Sequence, residues 1–375
     1  MSQLHSLQGN LSENRYNMQF NFEHLLTMKT TIYSLLVFVC TAFSACSTKV
    51  DLYTDYKDIP VIYGILDVNA DTNYIKINKA FCGSNDNPIN AYEVALISDS
   101  SNYPEKLESY IVEKKNTSGQ HYEPTGRIIP LDTLTIHDKE EGVFYSPDQT
   151  LYYTTEKFNI NENGNKYKYK LVVIKPDGDT VTSETSPVGG NMRIVSGAVN
   201  FQSAPSTGLN RLMFKSSDEA VLYDISMQFN YREKHPGQAT VKKHVKWSYG
   251  AKPLSSYEKV PATENSYYHH YSVNTLFKHL EEAIGGDTIW NINHPNVIRY
   301  IDDFVITLSA GGRELYECYE INNVIETGYT TTNYSNINGG FGVFSSRTCV
   351  NRIVKLSATT RRDIFKKEAW GFVEE

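Results

Sequence analysis

The segment VLYDISMQFNYRE, Val221–Glu233, sets Val221, Tyr223, Ile225, Met227, Phe229 and Tyr231 against polar or smaller neighbours at every second position. A period of two places all six on one face of a strand, and a face that apolar has to be covered, so the segment reads as a central strand with a core beneath it. Working outward, LNRLMFKS (Leu209–Ser216), VKKHVKWSYG (Val241–Gly250) and IRYIDDFVITLSA (Ile298–Ala310) read as further strands. A helix is expected in NTLFKHLEEAIGG, where Leu276, Phe277, Leu280, Ala283 and Ile284 fall at helical spacing between an Asn274 N-cap and Gly285. A second, short helix is expected in RELYECYEI, Arg313–Ile321.

Toward the N-terminus NYIKINKAF alternates Tyr74, Lys76 and Asn78 against Ile75 and Ile77, and similar short runs surround it. VIYGIL (Val61–Leu66) and NYIKINKAF (Asn73–Phe81) flank the turn DVNADT, and EVALIS (Glu93–Ser98), ESYIVEKK (Glu108–Lys115) and LYYTT (Leu151–Thr155) read as strands. KYKYKLVVI (Lys166–Ile174) and TVTSET (Thr180–Thr185) flank Pro176-Asp177-Gly178-Asp179, the turn of a closing hairpin. The expectation is a mainly β protein: an immunoglobulin-like β-sandwich over 60–188, a linker at Pro187–Gly190, and a second β-rich domain with one or two short helices over 191–375. With 27 Tyr, 40% hydrophobic and 21% charged residues, the composition is that of a globular β protein. A net charge of −7 without a long basic run argues against nucleic acid as a partner.

The most specific targeting signal begins at Met28. MKTTIYSLLVFVCTAFSAC has a basic Lys29, an apolar core at Ile32–Val39 too short to span a bilayer, and small residues before a cysteine. Phe43-Ser44-Ala45-Cys46 resembles a bacterial lipobox, in which the Cys46 thiol is diacylated and becomes the new N-terminus, although Phe43 replaces the usual Leu. The expected order is an upstream extension (1–27), a lipoprotein signal peptide (28–45) and a polar tether (46–59), with Met28 as the true start. Removing the leader leaves Cys82, Cys318 and Cys349 beside the lipidated Cys46. A Cys318–Cys349 disulfide and three unpaired buried thiols both stand open.

Several constellations invite chemistry, and each has a plainer reading. Asp67–Asn73 opens like a calcium loop but lacks the glycine and the final glutamate, so a turn with Asx hydrogen bonds fits better. Ser256-Tyr257-Glu258-Lys259 matches S-x-x-K without a helix to hold the pair. His269, His270 and His279 with Glu281 and Glu282 do not share a face. Asp302-Asp303 cannot act as a glycosidase pair from adjacent strand positions, and a β-bulge or a turn between Ile301 and Phe304 accounts for it. No catalytic, metal or cofactor site is expected. Tyr267, Tyr268 and Tyr271 are candidate exposed rings for a glycan.

YSNINGGFGVFSSR, Tyr334–Arg347, carries Gly339, Gly340 and Gly342, but a strand-like VFSSRTCVNRIVKL follows where a phosphate loop would lead into a helix. The glycines are expected to bend the chain, with Phe341, Val343 and Phe344 in the core of the second domain. The opening VIYGILD…NYIKINKAF after a lipobox, the Asp-Gly-Asp-Thr-Val hairpin and LYECYE…YSNINGGFGVFSS together resemble a family of Bacteroidota cell-envelope lipoproteins known as a domain of unknown function. The sharpest shared motif comprises Asn336, Gly339, Gly340, Gly342 and Phe344. The resemblance implies a β-sandwich followed by a second β-rich domain, an outer-membrane or periplasmic location through a lipid anchor, and for some members an encoded neighbour that is a TonB-dependent receptor. It brings no catalytic residues. In such hosts Thr133, Thr180 and Thr288, each in an Asp-Thr-aliphatic tripeptide, would be O-glycosylation sites. The function expected is binding or assembly at the envelope, beside an outer-membrane transporter, with a glycan-binding module or a hydrolase as alternatives.

Overall fold

The computed structural model describes residues 58–374 apart from 81–89, 117–118, 120, 143, 147, 162–163, 204–207, 285–296 and 327–333. The chain is mainly β. Its N-terminal half carries β1 (Pro60–Asp67), β2 (Asn73–Lys79), β3 (Glu108–Asn116), β4 (Tyr122–Pro130), β5 (Asp132–Ile136), β6 (Gln149–Thr154), β7 (Lys166–Ile174) and β8 (Thr180–Thr185). Two short helices, α1 (Asn90–Ala95) and α2 (Ser98–Ser101), follow β2. The C-terminal half carries β9 (Arg193–Ile194), β10 (Ala198–Val199), β11 (Leu209–Lys215), β12 (Leu222–Lys234), β13 (Val241–Ser248), β14 (Lys252–Pro253), β15 (Glu258–Lys259), β16 (Ser266–Ser272), β17 (Ile298–Gly311) and β18 (Phe341–Leu356). Its helices are α3 (Thr275–Ile284), α4 (Arg313–Glu326) and α5 (Ala358–Phe365).

One ten-stranded sheet runs β13-β12-β17-β18-β1-β2-β6-β5, with β10 on β18 and β14 on β12. Two four-stranded sheets, β15-β16-β11-β9 and β4-β3-β7-β8, complete the described β structure. The long strand read from the sequence lies second from one edge. Tyr223, Ile225, Met227, Phe229 and Tyr231 are all buried, as the alternation requires. They join Phe201, Phe214, Leu276, Leu280, Phe304 and Ile364 in one core, closed by α3 and α5. A second core gathers Ile62 and Leu66 of β1, Ile75 and Ile77 of β2, Ile111 of β3 and Tyr169, Leu171 and Val173 of β7. The large sheet therefore contributes residues to both cores.

The join is β18. It pairs β17 antiparallel, Phe304↔Val354 to Gly311↔Arg347, and β1 parallel, Val61↔Phe341 to Asp67↔Arg347. Hydrogen bonding thus crosses the expected 188/191 boundary, and Tyr56–Glu375 forms one compact unit. The expected linker is packed as well. Val188 is fully buried and its N–H donates to Ser346 Oγ at 3.0 Å, while Ser217 Oγ donates to the Gly189 carbonyl at 2.5 Å.

The glycine segment explains how a strand can cross between cores. Asn336 uses its amide as an extra rung, with Nδ2 donating to the Phe344 carbonyl at 2.7 Å and Oδ1 accepting from Phe344 N–H at 2.9 Å. Gly339 is left-handed (φ +84°), and Asn338 bridges Thr182 of β8. A Cβ on Gly340 would lie 2.6 Å from the Pro60 carbonyl oxygen, and one on Gly342 would lie 1.9 Å from that of Ile62. Only glycine lets β18 approach β1 here. Two expectations change at this point. Phe344 is fully buried, but in the N-terminal core beside Ile62 and Ile75 rather than the C-terminal one, and Phe341 points outward, 53% exposed.

EVALIS is helical, ending α1 and leading into α2, rather than a strand. Only Ala95 of Glu93–Ile97 is fully buried, so a single contact point fixes the segment and no alternation exists to hold it in a sheet. The Asp67–Asn73 turn is as expected: Asp67 N–H donates to Asn73 Oδ1 (2.6 Å) and Asn69 N–H to Asp67 Oδ1 (3.0 Å).

Candidate binding surface

Because side chains alternate along a strand, the residues between the core positions of β1 and β2 face outward. On β1 these are Val61, Tyr63 and Ile65, and on β2 they are Tyr74, Lys76 and Asn78. The register sets Tyr63 beside Lys76 and Val61 beside Asn78, and Tyr74 lies beside Tyr153 of β6 with ring centroids 6.3 Å apart. Helix α4 covers this face over β18, where Leu315 N–H donates to Ser345 Oγ at 3.2 Å and Val343 is buried. Beyond that cover Tyr63 is 56% exposed, Tyr74 47% and Phe144 52%. Large apolar groups clustered on an otherwise polar surface are the informative kind of exposure.

A cleft of about 510 Å³ opens on this face, lined by Val61, Tyr63, Lys76, Asn78, Lys139 and Phe144, with Gln149 and Asn102 at its edge. Asn78 Nδ2 is held by the Ser101 carbonyl (2.9 Å) and Asn102 Oδ1 (2.7 Å), so the floor is built before any ligand arrives. Lys76 Nζ donates to Gln149 Oε1 at 3.4 Å, and Lys139 Nζ donates to the Tyr145 carbonyl. Burial lowers the Lys76 pKa, and the charge on Lys139 lowers it further. The third lysine, Lys79, sits over the Tyr103 ring at 5.7 Å. The single carboxylate of the lining, Asp148, accepts from His137 Nδ1 at 2.7 Å.

Charges elsewhere are arranged differently. Arg299, fully buried, donates to Glu233 Oε2 at 2.8 Å and to the Trp370 carbonyl at 2.8 Å, and Lys243 donates to Glu233 Oε1 at 2.5 Å. Burial alone would raise the Glu233 carboxyl, but hydrogen bonds from Lys243, His235 and Arg299 outweigh it and hold the group at about 2. Buried Glu113 likewise takes Arg127 (3.2 Å), Asn159 (2.8 Å) and Tyr169 (3.1 Å).

The sequence candidates disperse. Of the bulge and the turn expected at Asp302-Asp303, the chain forms the bulge: the pair opposes Asn230 alone where the β12–β17 register shifts. Asp302 accepts from Arg232 Nε and Asp303 from Asn230 Nδ2, both at 2.6 Å. Ser256 Oγ donates to the Pro253 carbonyl at 2.7 Å, and Glu258 of the same motif accepts from His270 at 2.7 Å. His279 stacks on Trp247 at 5.1 Å. His269 is buried against Tyr249, its Nε2 has no hydrogen-bond partner, and burial pushes its pKa down to about 4, helped by the charges of Lys252 and His270. Among the described residues no three His, Cys, Asp or Glu side chains converge as a metal site.

Tyr271 is not an exposed ring. It is buried against Phe201 (5.2 Å), its hydroxyl accepts from Asn200 N–H at 3.3 Å, and Tyr267 stacks on Phe214 while Arg211 covers Tyr268. Strand β16 faces a core on the side that carries Tyr271, which removes that ring from any glycan surface. Cys318 and Cys349 are both free thiols, the former near Asn322 and the latter near Ser309. Thr133 lies on β5 and Thr180 opens β8, exposed, whereas Cys46 and Thr288 lie outside the described residues. The residues that sequence reasoning missed are Tyr63, Lys76, Lys139 and Phe144. The outward positions of β2 were readable from alternation, but those of β1, whose VIYGIL run does not alternate, were not, and nothing in the sequence brings Lys139 and Phe144 to them. No helix among the described residues is long and apolar enough to cross a membrane. No protein-family model matches the chain, and no curated protein matches it.

Proposed function

We propose that this chain is a lipid-anchored cell-envelope protein that acts by binding, as an accessory partner of an outer-membrane transporter, through the uncovered face of β1, β2 and β6. The observation that carries the reading is the cluster of half-exposed Tyr63, Tyr74, Phe144 and Phe341 beside a preformed cleft. Aromatic rings on a rigid sheet are the surface that recognition favours, because they bury large areas at low conformational cost. The signal and lipobox at 28–46 support the anchoring half of the reading, since diacylation supplies the second chain that stable attachment requires. No catalytic residue is assigned.

The experiment is recovery of the full-length chain from native membranes, wild type beside Tyr63→Ala and Phe341→Ala. An envelope protein that co-purifies with wild type and is lost from the variants supports the reading. Equal recovery with all three overturns the role of this face. Release of a Cys46→Ser chain from the membrane fraction is expected, and retention would contradict the anchor.

The cleft favours a second reading, a glycan-binding module, at this face instead of at Tyr267, Tyr268 and Tyr271. Flat rings at Tyr63 and Phe144 beside the Gln149 amide and the Ser101 hydroxyl suit a sugar, which presents a C–H face and a hydroxyl rim together. A hydrolase would need two carboxylates about 5–10 Å apart in the cleft, and its lining holds Asp148 as its one acid.

A further inference from the structure

We propose that the cleft formed by β1 and β2 with Lys139, Phe144, Asp148 and Gln149 takes an acidic saccharide, a sugar bearing a carboxylate or sulfate that sits between Lys76 and Lys139 while its ring lies against Tyr63 or Phe144. The inference rests on the reading that this face binds a ligand, and it adds the chemical class.

Charge is the first argument. Lys76, Lys79 and Lys139 line the cleft against Asp148, whose carboxylate already accepts from His137 at 2.7 Å. This excess of cations sits in a chain whose net charge is −7. The cations of the molecule's buried clusters meet acids: Arg299 and Lys243 meet Glu233, and Arg127 meets Glu113. The neighbours of Lys76 and Lys139 are neutral acceptors, the Gln149 amide and the Tyr145 carbonyl. Two half-buried lysines in one cleft, with burial and the Lys139 charge both disfavouring the Lys76 ammonium, are an arrangement an anion relieves, by accepting charge-assisted hydrogen bonds from both.

Shape and polarity narrow the anion. A volume of about 510 Å³ lies within the ~300–1,000 Å³ range of small-ligand sites. A fatty acid or an aromatic acid would use the rings and lysines but offer nothing to the Gln149 amide N–H groups and the Ser101 hydroxyl that line the cleft, at a desolvation cost. A bare inorganic anion would leave Tyr63 and Phe144 uncovered. An acidic sugar uses all three kinds of group.

The test is calorimetric titration of the full chain with trigalacturonic acid, with its methyl ester, and with a heparin-derived sulfated disaccharide. The expected result is that at least one acidic probe binds, that added salt weakens it, and that the ester binds at least ~10-fold more weakly. Lys76→Gln with Lys139→Gln is expected to weaken the acidic probe by about 10–100-fold, Lys76→Arg with Lys139→Arg to retain most of the affinity, and Tyr63→Ala to weaken acid and ester alike. Ester and acid of equal affinity, both lost in Tyr63→Ala, would overturn the acidic class while leaving a binding face. Failure of all three probes would overturn the saccharide, and the membrane recovery experiment would then decide separately whether the face binds anything.

Discussion

The two ends of the ten-stranded sheet treat charge in opposite ways. At the β12–β17 end, Glu233 lies buried among Arg299, Lys243 and His235, and the bulge acids Asp302 and Asp303 meet Arg232 and Asn230. At the β1–β2–β6 end, Lys76 and Lys139 share a cleft with neutral acceptors and an acid already engaged elsewhere. A buried charge must be matched or it destabilises the fold. Matched charges therefore mark where the molecule uses polarity to define its structure. The cleft sets Lys76, Lys79 and Lys139 against Asp148 alone, and the proposed anionic ligand would complete that match.

The comparison breaks first at the seam between the two ends. Gly342→Ala would set a Cβ 1.9 Å from the Ile62 carbonyl oxygen at φ +116°, and loss of folding, or at least about 4 kcal/mol in urea denaturation, is expected. Gly340→Val should fall just short of that, since the Pro60 carbonyl stands at 2.6 Å. Gly237→Ala is the control, because its left-handed φ of +72° sits in open space and only the backbone term remains. Similar losses at Gly237 and Gly342 would remove the close-approach argument.

Next comes Glu233→Gln, which leaves buried Arg299 without its counter-charge and should cost about 3–5 kcal/mol. The same group predicts an acid limb. Its carboxyl is held at about 2 against an ordinary 4.5, so its stabilisation is complete above pH 4.5 and is lost as the pH falls toward 2. Denaturation against pH should show that slope in wild type and lose it in Glu233→Gln.

His269 gives a second, higher window. Its ring is buried neutral, with a pKa near 4 against an ordinary 6.5, so folding disfavours its proton. Stability attributable to it is complete above pH 6.5 and falls by up to about 3 kcal/mol as the pH drops to 4. His269→Leu should flatten this window alone and leave the Glu233 limb intact. A wild-type curve flat between pH 6.5 and 4 would contradict the burial of a neutral imidazole.

The smallest expected effect on stability is at the open face. Tyr63→Ala removes a ring that is more than half exposed and should change stability by no more than about 0.5 kcal/mol, while abolishing recovery of the envelope partner.

Much of this architecture was legible because burial writes itself into sequence with a period of two. Tyr223, Ile225, Met227, Phe229 and Tyr231 alternate without a break, and Ile75 and Ile77 alternate with Tyr74, Lys76 and Asn78 in β2. An interruption at Asp302-Asp303 was legible too, since two adjacent acids break an apolar strand, but the choice between bulge and turn depended on the pairing with β12. Strands β4 and β5 were not, because Pro124, Gly126 and Pro130 punctuate them and their burial is slight. The pairing of β1 with β18 joins residues about as far apart in sequence as the described chain allows, and local pattern carries no information about it. The same is true of the cleft. Lys76 and Lys139 meet only because β6 pairs β2 and the preceding loop folds back, so each reads as an ordinary surface lysine on its own.

The claim that these lysines serve a ligand and not the fold is tested most directly by urea denaturation of the Lys76→Gln/Lys139→Gln chain without ligand. Removing the Lys76 ammonium, which burial and the Lys139 charge disfavour, together with Lys139 should leave the midpoint unchanged or raise it. A fall comparable to that of Glu233→Gln would show that the lysines are structural and would contradict the account.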